Sequence, residues 1–172
     1  DGATGIHLER IQGYCRLLAQ AIAKRPAYED YIDEVYMEDL QRSAPLHDIG
    51  KVGIPDHILL KPGPLTAGEF EVMKQHVLIG GNTLDRAEQR IANDSFLTLG
   101  KTIAYYHHEK WDGSGYLCSL RETQIPLSAR IVALADVYDA LTSERPYKKA
   151  MDHGAARRII VEGLGKHFDP DM

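Results

Sequence analysis

The stretch PLSARIVALADVYDALTS, residues 126–143, decides the architecture of this chain. Pro126 suits the first turn of a helix, where its missing N–H costs nothing. Ile131, Leu134, Tyr138 and Leu141 then form one helical face, while Ala129, Val132, Ala133, Val137 and Ala140 cover much of the rest. A helix apolar on more than one face is expected to be buried, and Asp136 lies within it. An ionised carboxylate there costs several kcal/mol to bury without a compensating partner. A metal ion and a salt bridge to Arg130 or Arg145 are equal candidates on this residue alone.

Helical spacing extends outward from that segment in both directions. Ile11, Tyr14, Leu18 and Ile22 repeat along a first helix, and His7 falls one turn before Ile11 on the same face. A second helix from about Tyr31 carries Ile32, Tyr36 and Leu40, until Pro45 kinks it or starts a new one just before His47-Asp48. The run Ile49 to Pro64 holds prolines and glycines without helical phase and is expected to be an ordered loop. Thr66 with Glu69 reads as a capping box opening one helix through about Asp85, with His76 beside Val72 and Ile79. Phe96, Leu99 and Ile103 belong to a helix from Ser95 that ends at His107-His108, followed by a tight loop at Trp111-Asp112-Gly113-Ser114-Gly115. A last helix covers about Ala155 to Leu164. No segment alternates as a strand does, so the fold class is all-α.

The bulk properties narrow the function. With 172 residues and 44% hydrophobic composition, one sizeable core and a single domain over 1–172 are expected. A net charge of -5 without a long basic run argues against duplex nucleic acid as the main partner, and leaves room for a small anionic ligand. Two cysteines, Cys15 and Cys118, make neither a disulfide framework nor a CxxC zinc pair, so a cytoplasmic setting is the default expectation. The longest apolar run, Ile131 to Ala135, is far too short to span a membrane. The first residue is not Met, and the chain reads as a catalytic domain excised from a longer multidomain protein.

Imidazole and carboxylate both ligate borderline divalent ions, and one carboxylate can bridge two of them, which draws attention to His47-Asp48. His7, His76, His107 and His108 add imidazoles at inward or helix-end positions. Any one of them alone reads as a satisfied core histidine; five beside two aspartates are harder to read that way. His57, His153 and His167 read as surface residues. Lys51 lies close enough in sequence to steady a phosphate oxygen, and Arg145-Pro146-Tyr147-Lys148-Lys149 is a dense basic patch suited to phosphates. Gly113-Ser114-Gly115-Tyr116 offers backbone amides and an aromatic hydroxyl after the histidine pair.

Taken in order, His47-Asp48-Ile49-Gly50-Lys51, Ile54-Pro55-Asp56, His107-His108-Glu109, Trp111 to Tyr116 and Ala135 to Ser143 resemble the HD-GYP family, a branch of the HD-domain phosphohydrolases. The resemblance covers nearly the whole chain. It implies an HD-domain helical bundle with an ordered loop after the HD motif, and hydrolysis of the messenger cyclic di-GMP to linear pGpG or on to GMP through a hydroxide bridging the metals. Its implied metal ligands are His7, His47, Asp48, His76, His107, His108 and Asp136, with Asp48 bridging two divalent ions. Iron or manganese is the first expectation, and nickel, cobalt or zinc suit the same donors. Asp48 and Lys51 would act in catalysis; Tyr116, Arg145 and Lys148 would contact the dinucleotide. The family also implies signalling partners such as diguanylate cyclase domains. Members with a third metal carry Glu four residues before the first-helix histidine, where this chain has Ala3, so two metals are expected. Gly115-Tyr116-Leu117 replaces Gly-Tyr-Pro, and Ser119 and Glu122 stand where glycines are usual. That loop is therefore expected to be displaced or mobile. An HD-type hydrolase for another nucleotide, or a catalytically impaired module that binds a ligand or partner, are the competing readings.

Overall fold

The computed structural model describes residues 2–91, 95–144 and 149–172, without the side chains of 2–4 and 95. Eight α-helices order the described residues: α1 (Gly2–Ile22), α2 (Glu34–Ser43), α3 (Asp56–Leu59), α4 (Ala67–Lys74), α5 (His76–Glu88), α6 (Ser95–Tyr106), α7 (Leu127–Thr142) and α8 (His153–Glu162). Among them there is no strand, only an isolated parallel bridge between Leu164 and Phe168. The all-α expectation holds. No helix is long and apolar enough to cross a membrane among the described residues.

α1 buries Ile11, Cys15, Ala19 and Ile22 against Leu40 of α2, Ile103 of α6 and Ile131, Val132 and Ala135 of α7. Burying side chains the size of Ile11 and Ile131 contributes on the order of 2 kcal/mol each. The buried row of α1 is shifted from the expected one, since Tyr14 and Leu18 only border it and Cys15 and Ala19 occupy its centre. Small side chains let α1 approach α7 closely, a preference that apolar spacing alone does not reveal. A second cluster joins Leu84 of α5 to Leu97 and Ala104 of α6, under Leu46 and Ile49.

Helix ends follow local chemistry. α2 starts at Glu34 rather than near Tyr31, because the Asp33 side chain accepts the Tyr36 amide at 2.7 Å and fixes the cap. Pro45 starts a 3-10 turn, Ala44–Leu46, and His47 follows it directly. The expected loop after His47-Asp48 is more regular than its prolines suggest, with a 3-10 turn at Ile49–Gly53 and α3 inside it. The capping box is present: Thr66 accepts the Glu69 amide at 3.3 Å and Glu69 accepts the Thr66 amide at 2.7 Å.

The helix opened by that box is interrupted at Gln75 and resumes as α5. The interruption falls where the His76 imidazole bonds the Met73 carbonyl at 2.7 Å, competing for an acceptor that an uninterrupted helix uses for its own ladder. α8 begins at His153, earlier than expected, because Asp152 caps it by accepting the Ala155 amide at 3.0 Å.

Glu69 also gives a pH test of the capping box. Lys61, 2.6 Å away, and the Thr66 amide lower its carboxyl from 4.5 to about 2. The stability it adds is complete above the ordinary value and is lost as pH falls toward the depressed one. Thermal melts of wild type and Glu69→Gln should therefore differ by a constant margin above about pH 4.5 and converge progressively below it. A margin unchanged at pH 3 would remove the ionised carboxylate from the cap.

Candidate metal centre

Two helices, one break in the chain and two helix ends carry the polar residues to one place. His7 projects from α1 and Asp136 from α7, while His47 and Asp48 sit at the break made by Pro45. His76 opens α5, and His107-His108 close α6. All seven residues named as ligands by the resemblance converge, in two groups. One contains Asp48, His76, His107 and His108, the other His7, His47 and Asp136, and within each group one donor atom per residue lies within 4.8 Å of the others.

Asp48 touches both groups. Its Oδ1 lies 3.3 Å from His76 Nε2 and 3.8 Å from His107 Nε2, while Oδ2 lies 3.4 Å from His47 Nε2. Asp136 Oδ1 stands 3.9 Å from His7 Nε2 and 4.0 Å from His47 Nε2. Donors bonded at about 2 Å to one tetrahedral ion stand roughly 3.4 Å apart, close to the shorter of these separations.

The imidazoles are oriented by their other nitrogen. Nδ1 of His47 bonds Ala44 O at 2.8 Å, that of His76 bonds Met73 O at 2.7 Å, and that of His107 bonds Ile103 O at 3.0 Å. Each Nδ1 facing a carbonyl must donate, so in the neutral ring each Nε2 presents a lone pair to the centre. Those three Nε2 atoms and Asp48 Oδ1 are buried and have no hydrogen-bond partner among the described residues. A buried polar atom without a partner costs about 1–3 kcal/mol, and four aimed at one point fit a cationic ligand.

Electrostatics agrees with that fit. Burial pushes the Asp48 carboxyl up, but the close His107 and His47 rings, when protonated, and the charge of Lys51 hold it well below the usual carboxylate range; burial opposes the charged form of His47, yet Asp48 raises it overall. Burial, aided by the neighbouring His107 and His76, lowers His108 to about 2, and burial also lowers His76. Both rings are therefore neutral near pH 7, the form that ligates metal. Lys51 Nζ meets Asp48 Oδ2 at 2.5 Å and is half-exposed, with its charge at the rim of the centre.

The centre opens into a cleft of about 1190 Å³, lined also by Arg10, Tyr14 and Tyr138. Tyr116 stacks on His108 with centroids 4.8 Å apart and planes 24° from parallel, so the altered loop is not displaced from the centre. Ser119 and Glu122 do adopt φ of 53° and 51°, in the left-handed region where glycine is favoured. Opposing that strain, the buried Glu109 carboxylate accepts the amides of Cys118 at 2.6 Å and Leu120 at 3.1 Å. Gly115 lies so close to the Glu109 and Lys110 backbone that a Cβ would sit 2.5 Å from it. Arg145 and Lys148, and the side chain of Ala3, lie outside the described residues.

Two residues of this region were not foreseen. Glu109 follows the histidine pair directly, yet its role depends on where the loop returns. Asp139, one turn beyond Asp136, is the fully buried carboxylate of α7, whereas the Asp136 side chain is 25% exposed toward the cleft. Arg130, weighed as the partner of Asp136, pairs instead with Asp169 at 2.5 Å. The desolvation argument raised for Asp136 applies more strongly to Asp139, and that was the signal available. His153 is exposed, as its reading as a surface residue expects, and it shares a 3.0 Å hydrogen bond with the Tyr138 hydroxyl.

An all-helical frame that gathers five imidazoles and two carboxylates into two donor groups beside one cleft defines a candidate metal-dependent hydrolase. The chain belongs to the HD domain family, whose model matches residues 6–172, and the phosphohydrolases of that family depend on metals. It is 55% identical over 170 residues to a cyclic di-GMP phosphodiesterase of Vibrio cholerae serotype O1, covering 99% of this chain and 35% of that protein. It is 50% identical over 172 residues to a cyclic di-GMP phosphodiesterase of Thermotoga maritima, covering 100% and 43%. The chain thus spans well under half the length of these relatives. Among solved structures, an HDG"Y"P protein from Bdellovibrio bacteriovorus matches with a TM-score of 0.63 at 21% identity, over 93% of this chain and 48% of that one, a likeness of fold.

Proposed function

We propose that residues 1–172 act as one catalytic domain, a metal-dependent phosphodiesterase that hydrolyses cyclic di-GMP to linear pGpG. Continued hydrolysis to GMP would be read in the same assay. The observation that carries this reading is the pair of donor groups, with Asp48 of the first also facing His47 of the second, and with buried, unpartnered Nε2 atoms at the centre. The identity to two cyclic di-GMP phosphodiesterases supports the substrate.

Two divalent ions would be held, one by Asp48, His76, His107 and His108, the other by His7, His47 and Asp136, with Asp48 common to both. Iron or manganese is our first assignment, and nickel, cobalt or zinc suit the same donors. Ala3, in place of the Glu that accompanies a third metal in the family, supports two. When bound, such ions supply Lewis acidity toward a phosphoryl oxygen and a nucleophile from water near neutral pH.

The protein's own groups bind and orient. Lys51 would steady a non-bridging phosphate oxygen as it gains charge, since its link to Asp48 keeps the ammonium at the rim of the centre. Tyr116, stacked on His108, would offer its ring edge and hydroxyl beside the centre. Arg145 and Lys148 are assigned to the substrate phosphates by resemblance. Neutralising either should raise KM more than it lowers kcat. We place this activity in the cytoplasm, with diguanylate cyclase domains as the class of partner that makes the substrate.

The test is metal content and cyclic di-GMP turnover measured in one anaerobically purified sample. Two ions per chain with turnover is the expected result. Turnover confined to another cyclic dinucleotide would replace the substrate, and tight nucleotide binding without turnover in metal-loaded protein would replace the enzyme with a binding module.

A further inference from the structure

His7 is anchored differently from the other imidazoles. His47, His76 and His107 each bond a neutral carbonyl three or four residues back in their own chain segment. His7 Nδ1 instead meets Asp139 Oδ2 at 2.7 Å, across 132 residues of sequence. Asp139 is 1% exposed, and the Arg10 guanidinium, one turn along α1 from His7, grips it through Nε at 2.5 Å and Nη2 at 3.1 Å. The carboxylate thus ties two residues of α1 to α7, one turn from Asp136.

We propose that Asp139, with its charge balanced by Arg10, is a positioning residue that governs occupancy of one metal position alone, the one formed by His7, His47 and Asp136. This inference rests on the two-metal reading above. The group of Asp48, His76, His107 and His108 draws on α5, α6 and the turn before them, and none of its members contacts Asp139 or Arg10 through a hydrogen bond. The His7 group exists only where α1 and α7 meet, and Asp139 fixes that meeting at hydrogen-bond resolution. An anionic acceptor also leaves more electron density on His7 Nε2 than a neutral carbonyl does, making it a stronger donor. The two positions are therefore unequal in origin: one is set within local turns, and the other depends on a clamp between distant helices.

The probe is manganese(II), titrated into chelator-treated protein and followed by elemental analysis and electron paramagnetic resonance. Wild type should take up two ions and give an exchange-coupled spectrum. Asp139→Asn, nearly identical in volume, should hold the first ion with unchanged affinity, bind the second about 10–100-fold more weakly, and give the uncoupled six-line signal at one equivalent. Arg10→Lys keeps the charge but not the fork, and should weaken the second ion in the same direction by a smaller factor. Thermal melts of the metal-free variants report whether each folds. Equal weakening of both ions, or an unaltered second ion in a folded variant, would overturn the inference. A wild-type protein that binds fewer than two ions would instead overturn the two-metal reading itself.

Discussion

Asp48→Ala is expected to lose turnover by on the order of 10³-fold or more and to release both metals together, because metal charge stabilisation is worth several kcal/mol and each 1.4 kcal/mol is a factor of ten. The geometry makes this residue unlike the other six. Oδ1 faces His76 and His107 within 3.8 Å, and Oδ2 faces His47 at 3.4 Å, so a single truncation removes a donor from the first group and the carboxylate oxygen that faces the second. Deleting His108 takes one imidazole from one group only, and its metal loss should be confined to one ion. Elemental analysis of both variants beside wild type, with turnover in the same samples, separates the cases. Activity retained in Asp48→Ala, or a single ion lost, would contradict the shared role.

Gly50→Ala should be the most damaging small substitution outside the ligands. A Cβ on Gly50 would sit 1.9 Å from the His76 carbonyl oxygen and 2.4 Å from the Gly80 amide nitrogen. Both are backbone atoms of α5, so no side chain can rotate away and the helix itself must move. Overpacking typically costs about 1–3 kcal/mol, and a backbone clash in a buried turn should reach or exceed the upper end. Since His76 opens α5, the same displacement should loosen metal binding. Gly68 on α4 is the control: nothing lies within 4 Å of its would-be Cβ, and Gly68→Ala should be neutral or stabilising by up to about 1 kcal/mol. Urea unfolding of chelated protein measures both. A Gly50→Ala protein with wild-type stability would show that α5 adjusts freely at this contact.

Local chemistry made much of this architecture legible. Thr66 and Glu69 announce a helix start because both halves of the capping box lie within four residues, and Pro45 announces the break that carries His47 and Asp48. Ser119 and Glu122, which stand where glycines are usual, do adopt positive φ. What depended on partners from elsewhere was not legible. α7 is apolar nearly all round, so its periodicity cannot say which aspartate is interior; α1 decides this by bringing His7 and Arg10 to Asp139. The interruption at Gln75 follows from one imidazole choosing the Met73 carbonyl. Glu109 holds the loop only because the chain returns Cys118 and Leu120 to it, and that return compensates for the altered residues expected to displace the loop.

Most of the imidazoles aimed at the centre take their orientation from a carbonyl three or four residues earlier. Such a bond forms as soon as its own turn forms, with no ion required. The ring orientations come from the fold itself, so an ion bound there, by joining only the folded chain, would add its binding free energy to the stability. Which ion the protein carries would then be decided by the spacing and type of these donors together with the metal supply during synthesis.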